Sequence, residues 1–238
     1  MNRLTLATLS LALPLFAQAN TSSVFSPEVN AGTQQIEYRS SYVGEDGGAP
    51  SQFSHRLHFQ HAFNDTYRLR LIASGARSGG NNLSYNYTRL ELQQQYLESE
   101  EHGWDAALRY ELQISDRSGR PDRFRIAWTG KKDITPDWQI RGNLMLGRQF
   151  GANPASGVQV ETRAQVTRKV PTGGRLGLEM FNDLNETTNF GSFDDQAHQA
   201  GPVYKHQVGN LNVLVSYLFG LSQGADDGDF RVHLIWGL

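Results

Sequence analysis

From Gln34 to the final residue, apolar and polar side chains alternate with a period of two and almost nowhere with a helical period, the pattern of half-buried strands. The cleanest stretch sets Trp104, Ala106, Leu108, Tyr110, Leu112 and Ile114 against Asp105, Ala107, Arg109, Glu111 and Gln113. Similar stretches place Phe53, Leu57 and Phe59 against Ser54, Arg56 and His58, and Leu144 and Leu146 against Arg141 and Asn143. Twelve such segments fill the chain, the last running through Phe230, Val232, Leu234 and Trp236 to Leu238. The tenth, from about Ala197 to Lys205, is the weakest and carries Pro202. Proline cannot donate to a ladder, so a bulge is expected there. Connections alternate between tight turns (63–65, 98–103, 131–137, 170–174, 206–209) and longer loops rich in Gly, Asn and Asp (44–51, 75–82, 115–122, 150–157, 185–196, 222–229).

Alternation alone does not say which face is buried, because a soluble lipocalin-like barrel or sandwich alternates equally well with its apolar face inward. Four features favour apolar outward. The polar face carries several charges within single strands, as at Arg109/Glu111, Glu161/Arg163 and Arg68/Arg70. The apolar face carries almost none, and its exceptions, Arg148 and Arg168, sit near strand ends. Aromatic residues (Tyr67, Trp104, Trp128, Trp138, Phe150, Trp236) gather toward strand ends on that face, where an interfacial girdle lies. Strands of roughly ten residues match a tilted crossing of the hydrocarbon layer. In lipid every backbone group must pair internally, so the sheet must close. The expected fold is therefore all-β: a twelve-stranded antiparallel up-and-down transmembrane barrel over residues 34–238. Short turns belong on the periplasmic side.

The N-terminus reads as a leader. Met1-Asn2-Arg3 is a short positive region, Leu4 to Phe16 is apolar, and Ala17-Gln18-Ala19 is a small-x-small cleavage site, the layout of a secretory signal peptide. Residues 1–19 are thus expected to be removed, residues 20–33 to form an N-terminal periplasmic segment, and the barrel to lie in a Gram-negative outer membrane. Composition narrows the function classes. With 22 Lys+Arg against 24 Asp+Glu, the basic excess of a nucleic-acid binder is missing. Zero cysteines exclude disulfide scaffolds, thiolate metal sites and cysteine nucleophiles. A mean hydropathy of −0.51 with one long apolar run excludes a bundle of membrane helices.

Three motifs carry a resemblance: Gly177-Leu178-Glu179-Met180-Phe181, His198-Gln199-Ala200-Gly201-Pro202, and Tyr217-Leu218-Phe219-Gly220-Leu221. Together they resemble a group of proteobacterial outer-membrane barrels to which no activity is assigned, so the likeness implies location more than chemistry. In size and strand count the chain is also similar to the monomeric porins for acidic oligosaccharides. It shares no diagnostic motif with them, and no residue role is carried over. The alternating last strand resembles the signal that such barrels present to the outer-membrane assembly machinery, although it ends in Leu238 where they usually end in Phe.

The chemistry therefore lies in the lumen. Parity turns inward Arg56, Arg70, Arg89, Glu91, Arg109, Glu111, Arg125, Arg141, Glu161, Arg163, Glu179 and Arg231, the candidate pore-lining set, together with Arg39, Arg68, Glu37, Asp105 and Asp183. No lysine falls in that set; Lys131, Lys132, Lys169 and Lys205 sit at or beside the periplasmic turns. Guanidinium forks lining a passage suit carboxylates and phosphates. The expected function is a small passive channel with weak anion preference, needing no cofactor or metal. Its expected partners are outer-membrane lipids, lipopolysaccharide and small anionic solutes. Twelve strands fall between eight, which enclose only side chains, and sixteen, which leave an aqueous channel. A closed barrel with a structural or envelope-integrity role is thus the alternative, and a lipid-modifying enzyme a more remote one. No histidine is followed two positions later by serine, the pair such an enzyme needs. Asp194-Asp195 with His198 is the nearest protease-like constellation, and Asp226-Asp227-Gly228-Asp229 the nearest cation loop; both read better as solvated loops.

Overall fold

The computed structural model describes residues 19–46, 48–116 and 119–238; the expected leader, apart from Ala19, lies outside the described residues. Twelve strands follow one another: β1 Gln34–Val43, β2 Gln52–Ala62, β3 Tyr67–Ser78, β4 Ser84–Leu97, β5 Asp105–Ser115, β6 Asp122–Asp133, β7 Trp138–Phe150, β8 Val158–Lys169, β9 Arg175–Glu186, β10 Ala197–Val208, β11 Leu211–Gly220 and β12 Gly228–Gly237. Each pairs antiparallel with its sequence neighbours, and β1 closes on β12 with Gln35 opposite Gly237. The expected twelve-stranded up-and-down barrel is what forms. With no free edge, every strand's ladder is satisfied on both sides.

Local chemistry sets the hairpins. The Asn64 side chain accepts the Thr66 and Tyr67 amides (2.9 and 2.7 Å), and Thr135 Oγ1 accepts those of Asp137 and Trp138 (3.3 and 3.1 Å). These are side-chain turns that leave two strands poised to pair. At the two-residue turn 209–210, Gly209 has φ of +57°, which the tight hairpin needs at its first position. This end, with turns 63–66, 98–104, 134–137, 170–174 and 209–210, is the short-turn end; the other carries the longer loops.

The barrel is apolar outside and polar inside. Leu57, Leu71, Leu178 and Phe219 are more than half exposed, whereas Arg231 is 0% and Arg109 1% exposed. A strand of ten residues tilted as in such barrels rises roughly 26 Å, close to the apolar band of about 25 Å that outer-membrane barrels show. Trp104, Trp138 and Trp236 lie at the short-turn end, whereas Trp128, expected near a strand end, stands midway along β6 opposite Leu144. Trp104 and Trp128 lie 6.1 Å apart, and Trp128 Nε1 donates to Tyr96 Oη at 2.6 Å.

Pro202 is accommodated without the expected bulge. Pairing of β10 with β11 lapses at Gly201-Pro202 and resumes at Val203 opposite Ser216 in unchanged register, while the β9 side pairs continuously. The missing donor faces a two-residue gap, so no extra residue is needed. Glycine makes the gap possible: a Cβ on Gly201 would fall 1.8 Å from the Tyr217 carbonyl oxygen. Gly201→Val is therefore expected to push β10 from β11 and lower the urea midpoint of the folded barrel; an unchanged midpoint would contradict this packing. The bulges lie elsewhere, at Ser74/Gly75, Gln95/Leu97 and Gln159/Glu161.

Residues 20–33, read from sequence as a segment outside the barrel, run through its interior. The Asn20 amide bonds Asp229 at the long-loop end of β12, and Gly32 bonds the Ala62 carbonyl at the short-turn end of β2. The chain thus crosses the whole lumen before β1 begins.

Candidate functional site in the barrel interior

All twelve candidate pore-lining residues face the interior, and most are buried. They form a ladder of carboxylates shared between guanidinium groups. Glu91 lies within 3.5 Å of Arg70 and Arg89 and 3.2 Å of Arg109. Glu111 takes Arg89 at 3.2 Å and Arg125 at 2.6 Å. Glu161 takes Arg125 at 2.6 Å, Arg163 at 2.9 Å and Arg123 at 3.4 Å. Glu179 pairs with Arg231 and accepts Gln165 at 3.0 Å. Register explains the pattern. Glu91 stands directly opposite Glu111, a destabilising like-charge pair unless cations intervene, and Arg89, Arg109 and Arg125 are the neighbours that do so. Among the described residues no carboxylate contacts Arg56, which rests over the Tyr87 ring at 5.8 Å.

Two lysines correct the parity reading. Lys131 points inward to Glu28 and Asp105, and Lys205 points inward to Gln165. Both strands run further than their sequence pattern, so Lys131, assigned to a turn, and Lys205, placed beside one, are inward positions of β6 and β10. Arg123, which the sequence set omitted, is inward too.

The N-terminal segment meets this ladder along its length. Arg231 and Arg163 each donate to it at 3.0 Å, to the carbonyls of Ser22 and Ser23. The Phe25 ring lies under Arg109 at 3.7 Å, with Arg163 at 4.9 Å. Asn143 Oδ1 accepts the Phe25 amide at 2.8 Å, and Gln95 Oε1 the Val29 amide at 2.6 Å. Two small apolar clusters complete the seat: Val24 with Phe181 and Leu218, and Phe25 with Ala127 and Met145. Sequence reasoning missed this site. The signal available was broken alternation, since Phe181 follows Met180 and Leu218 sits between Tyr217 and Phe219, placing apolar side chains on the polar face.

A cavity of about 400 Å³ remains beside the segment, on the short-turn side of residues 23–26. Arg39, Arg68, Arg70, Arg109, Arg141, Arg175 and Lys205 line it, with Glu37 the one carboxylate in the wall. Arg39 holds Glu37 through two contacts of 2.8 and 3.0 Å, so that acid is already neutralised. The Arg141 Nε is buried without a hydrogen-bond partner. The chamber is net cationic.

The protease-like constellation does not assemble. Asp195 accepts the Ser192 amide and hydroxyl, both at 2.7 Å, and these bonds hold its carboxyl below the usual range. His198 bonds Asn182 at 2.8 Å and Gln196 at 3.0 Å, with its ring stacked on Phe193, so no aspartate orients it. Asp229 of the proposed cation loop turns inward to Ser41 and the Asn20 amide instead. Burial, with Asp227 and Asp46 nearby, pushes the Asp226 carboxyl above its usual value.

Comparison of the whole barrel with solved structures finds similar architecture at low identity. A KdgM porin matches with TM-score 0.58 and 12% identity over 86% of this chain and 99% of that one. A NanC porin matches with TM-score 0.62 and 12% identity over 85% and 100% of the two chains. An outer membrane channel from Pseudomonas putida F1 matches with TM-score 0.62 and 9% identity over 88% and 97%. The fold is that of the twelve-stranded porins. No protein-family model and no curated protein matches the sequence.

Proposed function

We propose that the protein is an outer-membrane channel for passive passage of small solutes, with a preference for anions. The observation that carries this reading is the guanidinium-lined chamber inside a barrel whose outer face is apolar. The inverted polarity suits a hydrocarbon surround, and the short-turn end would then face the periplasm. The porin and channel neighbours share the fold, which supports passage without chemical conversion. A fixed excess of cationic groups at a constriction raises local anion concentration and lowers the barrier to anion entry.

A second reading, a closed barrel with a structural role in the envelope, is favoured by the segment crossing the lumen. Planar-bilayer recording of the purified barrel separates the two. Discrete current steps are expected for a channel, and no current above background from any form of the protein would support the closed barrel. Selectivity has its own test. Arg141→Glu, at a chamber residue whose Nε lacks a partner, is expected to shift the zero-current potential in a salt gradient toward cations. An unmoved potential would count against a guanidinium-controlled passage.

A further inference from the structure

We infer that residues 20–29 are a lumen plug whose seat is completed by leader removal, the α-ammonium freed at Asn20 pairing with the Asp229 carboxylate at the long-loop end. The effect on conduction rests on the channel reading above; the seating of the plug does not.

The seat is built rather than incidental. The Asn20 nitrogen lies 2.6 Å from Asp229 Oδ2, and the other oxygen of that carboxylate takes the Ser41 hydroxyl. Asp229 is 0% exposed, and its two partners hold it facing the segment. The residue ahead is Ala19, the last of the small-x-small site, so cleavage there converts an amide donor into a cation at the same nitrogen. An ammonium on a carboxylate makes a stronger, charge-assisted hydrogen bond than an amide does. Cleavage one residue earlier or later would place the charge elsewhere. The rest of the seat is specific to an extended chain. Arg231 and Arg163 donate to successive carbonyls, Phe25 fills the space beneath Arg109, and Asn143 bonds the Phe25 amide. These guanidinium groups carry no solute while they hold the segment. Midway along the plug, residues 23–26 form one wall of the cationic chamber, and the chain continues past it to the short-turn end.

Val24, Phe25, Pro27 and Val29 are the buried apolar residues of the plug, all on the tether side of Ser23. Residues 20–23 are polar and are held by the bonds to Asp229, Arg231 and Arg163, each of small net worth. Such a segment is held firmly but reversibly, and the terminal ion pair is the contact furthest from its covalent tether at Gln34.

The test uses the absence of cysteine in the chain. In Val24→Cys, a membrane-impermeant maleimide is expected to react slowly with the folded barrel. Adding Asp229→Asn, which preserves shape but removes the charge, is expected to speed labelling roughly tenfold or more, the factor a charge-assisted hydrogen bond supports. A form refolded with one extra residue ahead of Asn20 moves the ammonium without touching Asp229, and is expected to label at the same raised rate. Retained heat-modifiable migration verifies folding in each case. Labelling of Val24→Cys as fast as in urea-unfolded protein, or a rate indifferent to both changes, would overturn the plug. Conductance is read in parallel on the same proteins. Raised open probability in the two latch variants supports both ideas. Slow labelling with no current from any variant leaves the plug standing and removes the channel reading.

Discussion

Glu91→Leu is expected to destabilise the barrel by about 3–5 kcal/mol, the cost of stripping one partner from a buried ionic cluster. Three guanidinium groups, Arg70, Arg89 and Arg109, lie within 3.5 Å of that carboxylate. Each has other partners, Gln60 for Arg70, Glu111 for Arg89 and Gln93 for Arg109, but none of these faces all three cations. Removing Glu91 therefore leaves like charges close together in a space from which water is largely excluded. The loss should appear as a lower urea midpoint for the barrel refolded in vesicles. A further change makes the reasoning specific. Adding Arg109→Met to Glu91→Leu is expected to recover part of the loss, because the double variant buries one fewer unpaired cation. Simple loss of packing would add the two costs instead. The ladder ties strands together across the lumen, since Glu91, Glu111, Glu161 and Glu179 each join residues of two or more strands, not all adjacent in the sheet.

Leu144→Arg, in the middle of β7 on the outer face, is expected to cost about 2–4 kcal/mol when the barrel is folded into a bilayer. Leu144 is 43% exposed among other outward apolar side chains, so the substitution creates no steric clash. The penalty comes from placing a guanidinium among acyl chains, and it should shrink near the girdle, where Arg168 already rests over the Trp138 ring at 5.7 Å. For a barrel surrounded by water, the same change would leave stability nearly unchanged and improve solubility. Refolding yield and urea midpoint in vesicles check this directly.

How much of this could be read from residue order follows from the range of the interactions. Alternation survives through most of each strand because it depends on neighbours two positions apart, so strand number and inward parity were legible at Arg109, Glu111 and Arg125. Strand ends were less so: Lys131 and Lys205 fell outside the clear alternation, yet the ladder continues through them. Pro202 suggested a bulge because a missing donor was visible, whereas the unchanged register depends on Gly201 and a carbonyl on another strand. The N-terminal segment was illegible for a different reason. Residues 20–33 have no period, and their partners are remote: Asn20 bonds Asp229 and Arg231 bonds Ser22, each across 209 positions. The irregular apolar residues Met145, Phe181 and Leu218 hinted that something apolar occupies the lumen.

Tryptophan fluorescence of the barrel refolded into vesicles with brominated acyl chains tests the membrane assignment most directly, because the four tryptophans lie on or beside the outer face, three of them at one end. Strong quenching is expected with bromine close to the headgroups and weaker quenching with bromine at the bilayer centre. Folding to the same state in plain buffer, with emission indifferent to brominated lipid, would contradict the account.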